Sequence, residues 1–123
     1  MQSHEDLAVW QKSVELCKAI YVVTEKFPPR EVYGLSAQMR RAAVSIPSNI
    51  AEGRRRGTDA DFSHFLRIAY GSLAELETQL LISKELSFCS EKEFAALRVH
   101  IIEIGKMLHG IIKATSSRLK ASG

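Results

Sequence analysis

Apolar residues recur every three or four positions through four long stretches of this chain, with proline, glycine and polar clusters between them. Since a helix turns once every 3.6 residues, that spacing lays one apolar stripe along each of four helices. The first stripe reads Leu7, Trp10, Val14, Cys17, Tyr21 and Thr24, and stops at Phe27, Pro28 and Pro29, where a helix cannot continue. The second reads Leu35, Met39, Ala42, Ile46, Ile50 and Gly53, the glycine suiting the left-handed residue that closes many helices. After Arg54, Arg55, Arg56 and Gly57, Thr58 or Asp59 can cap a third helix with the stripe Phe62, Leu66, Ala69, Leu73, Leu76 and Leu80. Ser90 and Glu93 form a capping box for the fourth, which carries Phe94, Leu97, Ile101, Ile104, Leu108 and Ile111. The expected helices cover residues 5–26, 35–53, 59–86 and 91–118 of a single domain, 1–123. Short links between them predict an all-α, antiparallel up-down-up-down four-helix bundle.

The second stripe breaks a local rule. Pro47 costs about 3 kcal/mol inside a helix and leaves a carbonyl without its donor, yet the apolar spacing runs straight through it. The expectation is a helix kinked at Pro47, with Ser45, Ser48 and Asn49 bonding the freed backbone groups. A second line of apolar residues, Phe65, Ile68, Leu81, Ile82, Ile102 and Ile112, widens the stripes of the last two helices. Such surplus points to self-association, or else is ordinary core, since a bundle core takes about three positions in seven.

No run of about 20 uncharged apolar residues occurs, and the N-terminus is charged where a signal peptide would be apolar, so a cytoplasmic protein without a membrane partner is expected. Cys17 and Cys89 lack metal-ligand spacing, which argues against a disulfide scaffold or zinc site. His4, His64, His100 and His109 include no HExxH pair, and Glu103 is followed three residues on by Lys106 where a di-iron bundle would need histidine. Phosphate loops and nucleophile elbows are missing too. Glu75 and Glu77 stand two apart on a helix and cannot act as a pair. The expectation is therefore no enzyme, no catalytic residue, no metal and no cofactor.

Charge gives the one independent clue to function. Residues 30–67 hold seven basic and four acidic side chains, while the rest holds ten of each, so this segment carries the whole net charge of +3. All seven cations are arginines, whose planar fork suits phosphate oxygens. Arg40, Arg41, Arg54, Arg55, Arg56 and Arg67 are the candidate contacts to RNA or DNA, with the start of helix three offering backbone donors beside the arginine run. Two plainer readings stand beside this one. Arg40 or Arg41 would pair with a carboxylate such as Glu75 or Glu77, and Arg54 to Arg56 would be a solvated loop.

The strings EDLAVWQKSVEL, YGLSAQMRRAAVSIPSNIAEGRRR, FSHFLRIAYGSLAELETQLLIS and EIGKMLHGII together resemble the four-helix-bundle family encoded by intervening sequences in bacterial 23S ribosomal RNA genes. The resemblance spans nearly the whole chain. It implies a cytoplasmic bundle that assembles into a homo-oligomeric ring, a pentamer, with no established enzyme activity. A similar bundle occurs in the accessory protein of diversity-generating retroelements, which works beside a reverse transcriptase and binds nucleic acid; that link is an analogy of fold. A protein-interaction scaffold that touches no nucleic acid is the rival reading.

Overall fold

The computed structural model describes residues 3–122. Four α-helices account for most of them: α1 (Ala8–Thr24), α2 (Leu35–Arg56), α3 (Asp59–Glu85) and α4 (Glu91–Ser122). Short 3-10 turns at His4–Asp6 and Pro29–Glu31 precede α1 and α2. Among the described residues there are no strands.

The core is one apolar column. Leu16 and Ile20 of α1, Met39, Ile46 and Ile50 of α2, Leu66, Leu76 and Leu80 of α3, and Ile104 and Leu108 of α4 are all closed to solvent. Each helix packs on its sequence neighbours, and α1 also packs on α4. Contacts along α2 and α3 join Met39 to Ser83 and Ser45 to Ser72, so position numbers rise on one helix as they fall on the other. Asp59 with Arg118 shows the same sense between α3 and α4, as do Lys12 with Glu103 and Lys26 with Glu93 between α1 and α4.

The expected stripes hold in α3, where all six residues are buried, and in α2, where only Leu35 is half-exposed. In α1 the buried face is displaced by one residue. Val9, Ser13, Leu16, Ile20 and Val23 face the core together with Thr24 of the expected stripe, whereas Leu7, Trp10, Val14 and Cys17 are half-buried and Tyr21 is exposed. The helix itself starts later and ends earlier than expected, because Leu7 is extended and separates the turn at His4–Asp6 from α1. At the far end of α4, Ile112 and Thr115 are buried and Ile111 only half so.

The second helix runs three residues beyond Gly53, and Arg54, Arg55 and Arg56 form its last turn where a link was expected. Gly57 takes the left-handed conformation, with φ 85°, that ends it. Gly53 serves another purpose: a Cβ there would stand 2.7 Å from Cβ of Phe65, so the missing side chain is what lets α2 approach α3. Pro47 is buried within α2 and leaves the Ala43 carbonyl without its helical donor, and the nearby polar side chains bond other groups than that one. The Ser48 hydroxyl donates to the Val44 carbonyl (2.8 Å), and Asn49 Nδ2 donates to the Ser45 carbonyl (2.8 Å) and to Ser45 Oγ (2.9 Å).

The link from α3 to α4 is closed by its backbone. Ser87 adopts φ 62°, its N–H donates to the Lys84 carbonyl, and the Phe88 N–H donates to the Ser83 carbonyl, the pattern of a Schellman cap. The capping box forms as expected, with Glu93 N–H donating to Ser90 Oγ (3.0 Å) and Ser90 N–H to Glu93 Oε1 (2.9 Å).

Candidate nucleic-acid interface

The end of the bundle where α2 gives way to α3 gathers most of the candidate cations. A helix C-terminus carries partial negative charge, so three arginines in the last turn of α2 are favourably placed there. Two of them lie over aromatic rings of α3. The Arg54 guanidinium sits 5.3 Å from the Phe62 ring centre and that of Arg56 lies 5.2 Å from Phe65, with Arg56 Nη2 also 3.1 Å from Glu52 Oε2. Arg55 is exposed, and among the described residues it has no hydrogen bond, ion pair or ring contact.

The start of α3, whose backbone donors were expected to face a phosphate, has one of them capped and carries acidic side chains. Thr58 Oγ1 accepts from the Asp61 N–H (3.1 Å), and Asp59 and Asp61 place negative charge in the first turn. Asp59 is held by a two-point contact from Arg118, Nε to Oδ2 and Nη2 to Oδ1, both 3.1 Å. The hydrogen bond and charge of Arg118 hold the Asp59 carboxyl below its ordinary range and push the guanidinium up. This pair ties the beginning of α3 to the last turns of α4.

Those last turns bring in cations that lie far from the arginine segment in the chain. Arg67 of α3 donates through Nη2 to Ser116 Oγ (3.1 Å), and beside it a groove of about 520 Å³ runs between the two helices. Lys113, Lys120, His109 and Tyr70 line it, with Ile112. Sequence reasoning passed over the lysines, although Lys106, Lys113 and Lys120 recur every seven residues and so share one helical face.

Arg40 and Arg41 lie elsewhere. They precede Arg54 by over three turns, about 20 Å along α2. Arg40 Nε donates to Thr24 Oγ1 (2.9 Å) and its guanidinium lies 4.9 Å from the Tyr21 ring centre, so it joins α2 to α1 and pairs with neither Glu75 nor Glu77. Arg41 is exposed and shares a shallow groove with Gln38, Ser45, Ser72, Glu75 and Gln79. Of the six candidate arginines, Arg54, Arg55, Arg56 and Arg67 thus belong to one end and the other two do not.

Among the described residues no three His, Cys, Asp or Glu side chains come together as a metal ion would need. Cys17 and Cys89 are free thiols, and burial pushes both thiols up. No helix among the described residues is long and apolar enough to cross a membrane.

No curated protein matches the chain. Among solved structures it is similar to a protein of unknown function from the S23 ribosomal protein family of Bacteroides thetaiotaomicron VPI-5482, at 28% identity and a TM-score of 0.78. That match covers 86% of this chain and 99% of the other. The family model for the 23S rRNA-intervening sequence protein matches residues 5–110, nearly the whole of the four-helix arrangement described above. The chain belongs to the 23S rRNA-intervening sequence protein family.

Proposed function

We propose that this chain is a non-enzymatic, cytoplasmic helical bundle that assembles with copies of itself and holds RNA or DNA by the phosphate backbone at the α2–α3 end. The ring of five implied by the family resemblance would repeat that end around an axis, so weak contacts to one long strand would add through high local concentration. The observation that carries the reading is the position of Arg55. Arg54 and Arg56 have local work on Phe62, Phe65 and Glu52, whereas Arg55 stands exposed between them. Arg56 is offset by Glu52, whereas Arg55 presents its charge to solvent, where a phosphate backbone can meet it.

The test is a fluorescence-polarisation titration against labelled single-stranded RNA, duplex RNA and DNA at two salt concentrations. Arg55→Ala should weaken binding and reduce the slope of log affinity against log salt by about 0.7–0.9, the signature of one lost phosphate contact, with thermal stability unchanged. Replacing Arg54, Arg55 and Arg56 together with alanine should abolish binding and leave helicity and particle mass intact. Unaltered affinity in the triple variant would remove the patch from consideration.

The rival reading, a scaffold that presents a surface to another protein, is favoured by one observation. Leu81, Ile82 and Ile102 of α3 and α4 are 46%, 43% and 41% exposed, large apolar side chains that contact with another protein would cover. Absence of nucleic-acid binding at low salt by a protein of oligomeric mass would put that reading first.

A further inference from the structure

We infer that the groove between α3 and α4 is a seat for single-stranded nucleic acid, holding phosphates on Arg67, Lys113 and Lys120 and one base against the ring of Tyr70. This rests on the proposed function and sharpens it, from a charged end that attracts any backbone to a groove that selects one form of the polymer.

The charge of the groove is uncompensated. Among the described residues no carboxylate lines it, and neither Lys113 nor Lys120 has an ion-pair partner. Elsewhere on the bundle Lys12, Lys26, Lys84, Arg56 and Arg118 each stand against an Asp or Glu. Arg67 is anchored by its bond to Ser116, and a guanidinium has five N–H donors, so anchoring spends only one of them. Lys113 and Lys120 are two helical turns apart, about 10 Å, on the same face of α4.

The groove also holds an aromatic surface, which phosphate binding alone would not require. Tyr70 is 43% exposed, and its ring centre lies 6.4 Å from that of His109 at a tilt of 42°. His109 of α4 flanks the ring, and Tyr70 lines the same groove as the three cations. A positively charged groove with an aromatic platform is the arrangement by which proteins hold single strands without reading sequence. A duplex keeps both faces of each base stacked inside the helix and has nothing to lay on Tyr70, whereas a single strand does. An acidic peptide would satisfy the cations but gain little from the ring.

The measurement is polarisation of a labelled strand of about 12 nucleotides, within the usual range of single-strand site sizes, and of the matching duplex. The full chain is compared with Tyr70→Ala, Tyr70→Phe, the pair Lys113→Ala with Lys120→Ala, and the triple arginine variant. The strand should bind more tightly than the duplex. Tyr70→Ala should weaken strand binding about tenfold with an unchanged salt slope, and Tyr70→Phe should bind like the native chain, because only the ring is needed. The double lysine variant should lose about 1.4 from the single-strand salt slope. Tyr70 and both lysines are at the surface, and circular dichroism checks that the variants fold. Equal affinity for strand and duplex, or native affinity in Tyr70→Ala, would overturn the groove while the triple arginine variant still reports on the broader proposal. Displacement of the strand by poly-glutamate at equal charge concentration, with no effect of Tyr70→Ala, would assign the groove to an acidic protein segment and overturn the inference. No binding to any nucleic acid at low salt would overturn both.

Discussion

At the scale of single residues, glycine shows how one residue type answers two needs. Gly57 supplies the left-handed turn at the end of α2, and Gly53, one turn earlier, supplies room. Both uses look alike in a sequence, which is why Gly53 reads as a helix end until the packing partner is seen. The distinction has a measurable consequence. In Gly53→Ala, alanine's better helix propensity gains about 1 kcal/mol, but the new Cβ meets Phe65 Cβ, which is fixed close to the backbone and cannot swing away. Overpacking of that kind costs about 1–3 kcal/mol, so a net loss of about 1 kcal/mol is expected in urea denaturation. A variant as stable as the native chain would mean that α2 and α3 separate without cost. Arg40 is half-legible in the same way: the sequence offers a structural pairing for it or for Arg41 with Glu75 or Glu77, but the half-buried Arg40 meets Thr24 and Tyr21, on the one helix whose buried face differs from the expected stripe.

At the scale of elements, the legibility of each helix depends on whether its apolar residues stand alone. In α3 the stripe residues mostly have polar or small neighbours, so period and face are both determined. In α1, Val9 adjoins Trp10, Leu16 adjoins Cys17 and Ile20 adjoins Tyr21, so two stripes of equal spacing compete and only the tertiary packing chooses between them. Capping is the most local signal, and Ser90 with Glu93 was readable directly. Its strength depends on a residue no local pattern names, because Lys26 Nζ of the α1–α2 link lies 2.9 Å from Glu93 Oε2. The Ser90 N–H first, then the Lys26 hydrogen bond, hold the Glu93 carboxyl below its ordinary range. A carboxyl depressed in the folded state contributes stability above its unfolded value, about 4.3, and loses it as pH falls through the lower folded value. Glu93→Ala should therefore lower Tm by a few degrees at pH 7, and the gap between variant and native chain should close as pH falls below about 4. A gap that stayed constant down to pH 3 would show that the carboxylate's charge plays no part in the cap.

At the scale of the whole molecule, charge is gathered by space and sequence counts it by segment. The arginine excess of residues 30–67 is legible, but the fold splits it: Arg40 and Arg41 lie in the first third of α2, while Lys113 and Lys120 arrive beside Arg67 from the other end of the chain. No local window joins positions so far apart; only the antiparallel contacts of α3 with α4 do. The same pair of helices carries the surplus apolar surface. Of the six residues that widen the stripes, Ile112 turns inward and Phe65 is half-buried, but Ile68, Leu81, Ile82 and Ile102 remain exposed. Burying such side chains between copies would contribute about 25 cal/mol for each Å² removed from water, while leaving them exposed contributes nothing. The proposed self-association then makes a specific demand. Leu81→Glu with Ile102→Glu places two charges on the α3–α4 face without touching the core, so helicity should persist while light scattering reports a fall toward the 13.7 kDa of one chain. An unchanged oligomeric mass would move the contact to another face and leave the α3–α4 groove open along its length, whereas a native chain that is already monomeric would remove the ring and, with it, the avidity on which weak backbone binding depends.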